Sequence, residues 1–365
     1  MQVQEENKPA RSRNRPGLLD VAPEEMAAWL AAHQEPPLRA RQLRRWLVVG
    51  RAESFECMTD LPQNLRRALA ADFEPFSTQI IHHAKSPDGT HKLLLRLADG
   101  QSIECVLIQE NKRRTACIST QVGCGMGCVF CASGLNGVAR NLTSAEILEQ
   151  LIRMRNLLLP DQRLTHIVVM GMGEPLANLD ALLAALETAG AKDGLGVGAR
   201  HVTISTVGLP AKIRRLADLG KQYHLAVSLH APNDELRTRI VPTNEKTGLR
   251  EILAAADYFF ERTGRQVTYE YVLLGGINDS AEQANELGKL LRGRRAHVNL
   301  IPYNDVAGLP YHPPAPGDLS AFVNILRRSE ISVKVRKRKG STIDAACGQL
   351  RRRIEEPKLS AAGMV

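Results

Sequence analysis

Gly123-Cys124-Gly125-Met126-Gly127-Cys128-Val129-Phe130-Cys131 is the stretch on which the reading of this chain turns. The spacing is C-x3-C-x2-C, so it offers three thiolates rather than four. A [4Fe–4S] cube held by three cysteines keeps one iron without a protein ligand, free to take a substrate or cofactor, whereas ferredoxin-type carriers close the cube with a fourth. Structural zinc sites also need four ligands, usually as paired C-x2-C knuckles, and the sequence has no second knuckle. Gly123, Gly125 and Gly127 let the backbone wrap closely around a bulky inorganic group. The competing reading is zinc, completed by Cys117, Cys105 or a distant histidine; the missing knuckle weighs against it.

Outward from this loop, the chain divides by pattern. Residues 1–16 read as a disordered basic lead without the apolar core of a secretory signal. Residues 17–100 read as an accessory domain. Leu18, Leu19, Val21, Met26, Trp29 and Leu30 fall at helical spacing, as do Leu38, Leu43 and Trp46, and Leu61 to Phe73 supplies a further helix. A β extension follows, with strands at His91–Leu97 and Ser102–Ile108. From 101 to 345 strands and helices alternate. Thr115–Thr120, Thr165–Met170, His201–Thr206, His224–His230, Val267–Leu274 and His297–Ile301 are short apolar runs suited to buried parallel strands. Thr143 and Glu146 form a capping-box signature at the first intervening helix. Six such repeats give an α/β fold, a partial, TIM-like (β/α)6 barrel. Chemistry on such a barrel sits at the C-terminal ends of its strands, and the cysteine loop follows the first of them. Residues 346–365 form a tail.

The 365 residues carry a net charge of +9, 44% hydrophobic and 4% aromatic residues. No apolar run approaches the ~18 residues of a membrane span, so no membrane partner is expected. Seven cysteines, three committed to one motif, fit a reducing, cytoplasmic setting rather than a disulfide scaffold. Basic clusters at Arg39, Arg41, Arg44 and Arg45 and at Lys334, Arg336, Lys337, Arg338 and Lys339 suit a polyphosphate partner, although a solvated face accounts for them equally. Few aromatics means no visible stacking platform for single strands.

The cysteine loop, together with Gly171-Met172-Gly173-Glu174-Pro175 and Ser205-Thr206-Val207-Gly208, resembles the radical S-adenosylmethionine (SAM) superfamily. The runs Cys117 to Cys124, Ser228 to Glu235 and Ile343 to Leu350 narrow the resemblance to the RlmN/Cfr family of RNA adenosine methyltransferases. It extends from about Leu18 to Leu350. Pro175 is the form associated with the RlmN branch, whose members act at carbon 2 of an adenosine in 23S ribosomal RNA and in many cases on a tRNA anticodon loop. The Cfr branch acts at carbon 8.

The resemblance implies one [4Fe–4S] cluster on Cys124, Cys128 and Cys131, and two SAM molecules per turnover. Cys347 would take a methyl group from the first SAM, and the second would yield a radical that activates this methyl toward adenine. Cys117 would resolve the protein–RNA thioether, leaving a Cys117–Cys347 disulfide, and Glu104 matches the proton acceptor. Gly173, Glu174, Ser205 and Ser228 would line the SAM site. Leu229, His230 and Asn304 would complete it. An RNA-binding role for residues 17–100, a flavodoxin or ferredoxin as electron donor, and a monomer follow from the same source. Taken singly, Cys347 and Cys117 read more simply as small buried residues, and Glu104 as the solvent face of a strand. A zinc-stabilised RNA-binding protein is the non-enzymatic alternative.

Overall fold

A computed structural model describes residues 15–350; the basic lead up to residue 14 and the tail beyond residue 350 lie outside the described residues. The chain separates into two compact units, with the division between Gln79 and Ile80.

The first unit holds α1 (Pro23–Ala32), α2 (Leu38–Val48) and α3 (Gln63–Asp72). Each buries a stripe at helical spacing: Met26 and Leu30, Leu43 and Leu47, Leu65 and Leu69. The Trp29 indole packs edge-on to Phe73, with ring centroids 5.2 Å apart, while its Nε1–H donates to Asp72. Truncating a fully buried leucine here, such as Leu69→Ala, costs about 2–5 kcal/mol. Leu18, Leu19 and Val21, expected on the first helix, precede it. Pro23 opens α1, where its fixed φ and missing N–H are tolerated, and Gly17 instead bridges to Glu74.

The second unit is built on a ten-stranded sheet. Its strands are β1 (Gln79–Lys85), β2 (His91–Arg96), β3 (Ser102–Glu110) and β4 (Arg113–Cys117), in spatial sequence. A separate two-stranded hairpin, β5 (Gln121–Gly123) and β6 (Val138–Asn141), brackets the cysteine loop. Then α4 (Ser144–Asn156), β7 (His166–Val169), α5 (Leu179–Gly190), β8 (Val202–Thr206), α6 (Pro210–Asp218) and β9 (His224–Ser228) continue the winding. They lead on to α7 (Asp234–Ile240), α8 (Leu249–Thr263), β10 (Val267–Leu273), α9 (Ala281–Leu291), β11 (Ala296–Pro302), α10 (Pro316–Arg328) and β12 (Ser332–Val335). β4 and β7 to β12 run parallel in that order. The six expected barrel strands are all present, and β12 adds a seventh drawn from the basic run near the C-terminus.

The accessory boundary expected near residue 100 moves to residue 79. β2 and β3 pair antiparallel and β3 pairs with β4, so the ladder of the barrel sheet satisfies their backbone groups. The β extension therefore belongs to the barrel unit. The expected capping box is formed: Thr143 Oγ1 accepts from Glu146 N–H while the Glu146 carboxylate accepts from Thr143 N–H. One turn on, the buried Gln150 side chain clamps both backbone groups of Ser119, fixing the chain as it leaves β4.

Candidate active site

The cysteine loop is held by its own hairpin. Cys124 N–H donates to the Gly137 carbonyl at 2.9 Å and Val129 N–H to the Ile240 carbonyl at 3.1 Å, docking the loop on the end of α7. Gly123 has φ +81°, and a Cβ there would collide with the Gly137 carbonyl oxygen, so a side chain at this position would break the hairpin. Cys124, Cys128 and Cys131 line a cavity of about 160 Å³ at the C-terminal ends of the parallel strands. Burial pushes the Cys124 thiol up to about 12 and raises Cys128 and Cys131 too, with the neighbouring cysteine sulfurs adding to the rise at Cys128. Thiols whose pKa values are raised in this way become thiolates readily only when a metal supplies the opposing charge. Among the described residues no three His, Cys, Asp or Glu side chains are arranged to hold a single metal ion. Three thiols from one C-x3-C-x2-C loop lining a single cavity fit a multi-iron group that leaves one iron without a protein ligand.

The opposite wall is the Gly171–Pro175 turn after β7. A Cβ on Gly171 would sit 2.6 Å from the Ile118 carbonyl oxygen, and one on Gly173, at φ +100°, 2.6 Å from the Gln121 side chain. Only glycines allow this turn to press against the chain leaving β4. Glu174 is buried; its carboxylate accepts from Leu176 N–H at 3.0 Å and Val207 N–H at 2.8 Å, and burial raises its pKa. It thereby ties the turn to the end of β8. His230, at φ +62°, accepts from Val272 N–H through Nδ1. Burial, with Arg237 nearby, lowers its pKa to about 3, so the ring is neutral and its proton resides on Nε2. Half-buried Ser205 and Ser228 complete this wall. Tyr303, also in the lining, buries a hydroxyl near the Val306 backbone N–H, and its O–H has no acceptor among the described residues.

After β12 the chain turns back as a strap and delivers Cys347 to the same cavity. Asn304 Nδ2 donates to the Cys347 carbonyl at 3.0 Å, and Ala132 N–H, next to the cluster loop, donates to the Gly348 carbonyl at 2.8 Å. Cys347 also lines a second cavity of about 700 Å³, the barrel lumen. Cys117, at the end of β4, is buried and raised to about 12 by burial first and then by the Cys347 sulfur, with Arg336 pulling the other way. Arg336 is raised in turn, chiefly by the Cys347 sulfur. Both cysteines are free thiols, so the expected disulfide is not formed in this structure.

Gly173, Glu174, Ser205, Ser228, His230 and Asn304 all line the smaller cavity with the three loop cysteines and Cys347. Leu229 does not: its side chain is fully buried, and its backbone carbonyl accepts from Arg237 Nε. Glu104 lies outside both linings. It is buried rather than solvent-facing, and Lys92 Nζ lies 3.2 Å from its Oε1. Sequence reasoning missed Glu270, Arg336 and Tyr303, which line both cavities. Glu270 accepts from Asn299 Nδ2 at 2.7 Å. Arg336 had been visible only as one charge in a basic run; a two-residue alternation from Lys334 to Arg336 was the available signal for a strand facing the lumen.

An open parallel barrel with a three-cysteine loop at its strand ends is the architecture of a radical SAM enzyme, and residues 118–287 match the family model described as the radical SAM superfamily. Residues 17–74 match the ribosomal RNA large subunit methyltransferase N-terminal domain. A probable dual-specificity RNA methyltransferase RlmN from Rhodopirellula baltica is 55% identical over 93% of this chain and 92% of its own length. Its counterpart in Geobacillus thermodenitrificans is 44% identical over 92% and 93%. The crystal structure of a radical SAM methyltransferase from Sphaerobacter thermophilus superposes with a TM-score of 0.87 at 43% identity, covering 92% of this chain and 99% of that one. The chain belongs to the RlmN family of SAM-dependent radical SAM methyltransferases. Membership implies a [4Fe–4S] cluster and SAM.

Proposed function

We propose that this chain methylates carbon 2 of an adenosine in 23S ribosomal RNA, and also of an adenosine in a tRNA anticodon loop, by way of a methylated Cys347. The observation that carries the reading is the meeting of two thiols from opposite ends of the barrel sequence. The Cys347 sulfur, carried on the strap, is close enough to Cys117 of β4 to raise its pKa, and Cys347 faces the cavity of the cluster cysteines. The RNA substrate class comes from the relatives, which are named as dual-specificity RNA methyltransferases.

Carbon 2 of adenine has no lone pair to attack an ordinary sulfonium methyl, so the carbon must be delivered in another form. Cys124, Cys128 and Cys131 would hold the [4Fe–4S] cluster, with SAM lined by Gly173, Glu174, Ser205, Ser228, His230 and Asn304 and backed by the Leu229 main chain. Bound there, a reduced cluster would supply the electron for reductive cleavage of SAM, and the site would hold the methyl on Cys347 where one of its hydrogens can be abstracted. Cys347 acquires that methyl beforehand: its sulfur bonds the methyl carbon of another SAM as the sulfonium bond breaks and the thiol proton leaves. After the carbon joins adenine, the adduct would give up one electron, which the oxidised cluster can take back, and Glu104 would accept the proton lost from the ring. Cys117 would then attack the Cys347 sulfur; the S–S bond forms as the S–C bond to the RNA-borne carbon breaks, that carbon takes up a proton to become the methyl group, and reduction of the disulfide by a thiol reductant resets the pair. A flavodoxin or ferredoxin would donate the electron, residues 15–79 would bind RNA, and the chain would act as a cytoplasmic monomer.

The test is the Cys117→Ala variant supplied with methyl-deuterated SAM and RNA. A covalent protein–RNA adduct should accumulate, and wild-type product should have lost one deuterium from the transferred methyl. A fully deuterated methyl, or product identified chromatographically as the carbon-8 isomer, would sink this reading.

A further inference from the structure

Lys92, near the start of β2, is buried, and no motif or step above gives it a task. A lysine is almost never this buried unless its ammonium is paired. Antiparallel register sets Leu94 opposite Glu104, and Val106 opposite both Lys92 and Cys117. Side chains alternate along a strand, so Lys92, Glu104, Val106 and Cys117 project from one face of the sheet. Ile108, Glu110 and Thr115, on the same face, line the lumen. Lys92 and Glu104 are diagonal neighbours there, within reach of long side chains. The Lys92 ammonium lies 3.2 Å from Glu104 Oε1 and donates to the Asp344 carbonyl at 3.1 Å. Asp344 stands three residues before Cys347.

We propose that Lys92 is a positioning residue for methyl transfer, one ammonium that fixes the carboxylate of Glu104 and the approach of the Cys347 strap together. This rests on Glu104 being the proton acceptor. An ammonium has three donors on a flexible stem and can serve two acceptors that no single strand brings together. The strap is shaped to present its carbonyl. Gly340 (φ +64°) and Asp344 (φ +50°) are both left-handed, Ala345 N–H closes on the Gly340 carbonyl at 2.9 Å, and Gly340 N–H is itself anchored on Asp88 Oδ2 at 3.0 Å. With this turn seated on Lys92, the base and the methyl carrier keep one fixed separation while the adenine enters between them. Without Lys92, a buried carboxylate loses an ion-pair partner and the Asp344 carbonyl of the strap loses its donor.

The experiment compares Lys92→Met, Lys92→Arg and Glu104→Gln in the full-length, iron-loaded protein. It measures kcat and KM for RNA, and hydrogen exchange of the amides of residues 340–347. Lys92→Met should lower kcat by about 100-fold with KM for RNA within about 3-fold of wild type. Exchange over 340–347 should rise by about 10-fold. Lys92→Arg keeps the ion pair, but its broader head displaces the Asp344 carbonyl, so kcat should recover to within about 10-fold of wild type while exchange stays raised by about 3-fold. Glu104→Gln should lower kcat and leave exchange over 340–347 at the wild-type rate, because Lys92 still holds Asp344. Wild-type exchange in both lysine variants, or wild-type kcat in Lys92→Met, overturns the proposal. Wild-type turnover in Glu104→Gln would instead overturn the role given to Glu104; it is told apart because exchange in the lysine variants would remain raised.

Discussion

The cysteine loop and the C-terminal strap both bring thiols to one cavity, yet they are built by opposite means. The loop is a local device. A short hairpin, one left-handed glycine and the amide of Cys124 on the Gly137 carbonyl shape it within a span of about fifteen residues. The strap has little local structure beyond a single turn at Ser341–Ile343. Its conformation comes mostly from distant partners: Gly340 sits on Asp88 and Thr342 on Ser86 at separations of 252 and 256 residues, and Asn304 and Ala132 hold the carbonyls of Cys347 and Gly348. A locally built loop can be preorganised for a group that stays; a segment held by a few distant contacts can release and reseat during turnover. This division suits the assigned tasks: one region would keep its cluster, while the other carries a carbon that must change partners.

The largest effects should separate the two regions by what is lost. Cys128→Ala should abolish iron loading and, with it, every methylation event, because metal affinity depends on the full thiolate set. Cys347→Ala should retain iron at the wild-type ratio and lose both the RNA adduct and the product. Iron and sulfide analysis of the anaerobically reconstituted proteins, beside a methylation assay, checks both. If Cys347→Ala also failed to bind iron, the two regions would not be independent.

Next in size is Gly123→Ala. The added methyl would overlap the Gly137 carbonyl oxygen, at a φ of +81° that L residues rarely adopt. Backbone strain of this kind costs of order 1–3 kcal/mol before the clash is counted. Iron bound per chain should fall by more than about half, while exchange at residues 340–347 stays unchanged. Retained iron with a mobile strap would invert the comparison.

The same contrast decides what the sequence could reveal. C-x3-C-x2-C, the capping box at Thr143 and Glu146 and the six apolar strand runs are short-range patterns, and each appears where it was expected. The position of Cys347 was marked by its surrounding run, but nothing local to that run indicates that Lys92, Ser86 and Asp88 would hold it. β12 was hidden for a related reason. Its Lys334 and Arg336 face the lumen, where a strand would ordinarily show apolar residues, so the alternation read as a charge cluster. Taken singly, Glu104 reads as the solvent face of a strand, because its buried lysine partner lies on the neighbouring strand, out of reach of any single-strand pattern. The accessory boundary slid for the same cause, since only the pairing of β3 with β4 assigns β2 and β3 to the barrel.

Gly340→Ala should perturb the strap and spare the loop. Its Cβ would meet the Ala345 methyl at 2.8 Å and Thr90 Cγ2 at 2.9 Å, with φ at +64°. These contacts are methyl groups that can give way, so the cost should stay near the ~1–2 kcal/mol of a left-handed non-glycine residue. Activity should fall by about 10-fold, in line with that cost, with iron content untouched.

The finest probe is Thr342→Val, which removes the hydroxyl pair between Ser86 and Thr342, 2.9 Å apart and partly open to solvent, and leaves Ser86 on Asp88. A single neutral hydrogen bond of this kind contributes about 1 kcal/mol, because water replaces much of it. Exchange over residues 340–347 should quicken by about 5-fold, the factor that 1 kcal/mol implies for an opening equilibrium. Iron content and the melting transition should not move, and turnover should stay within about 2-fold of wild type. An equal quickening over residues 123–137 would mean that the strap and the loop open as one unit. Exchange confined to the strap would mean that Cys347 can leave and return while the cysteine loop stays closed.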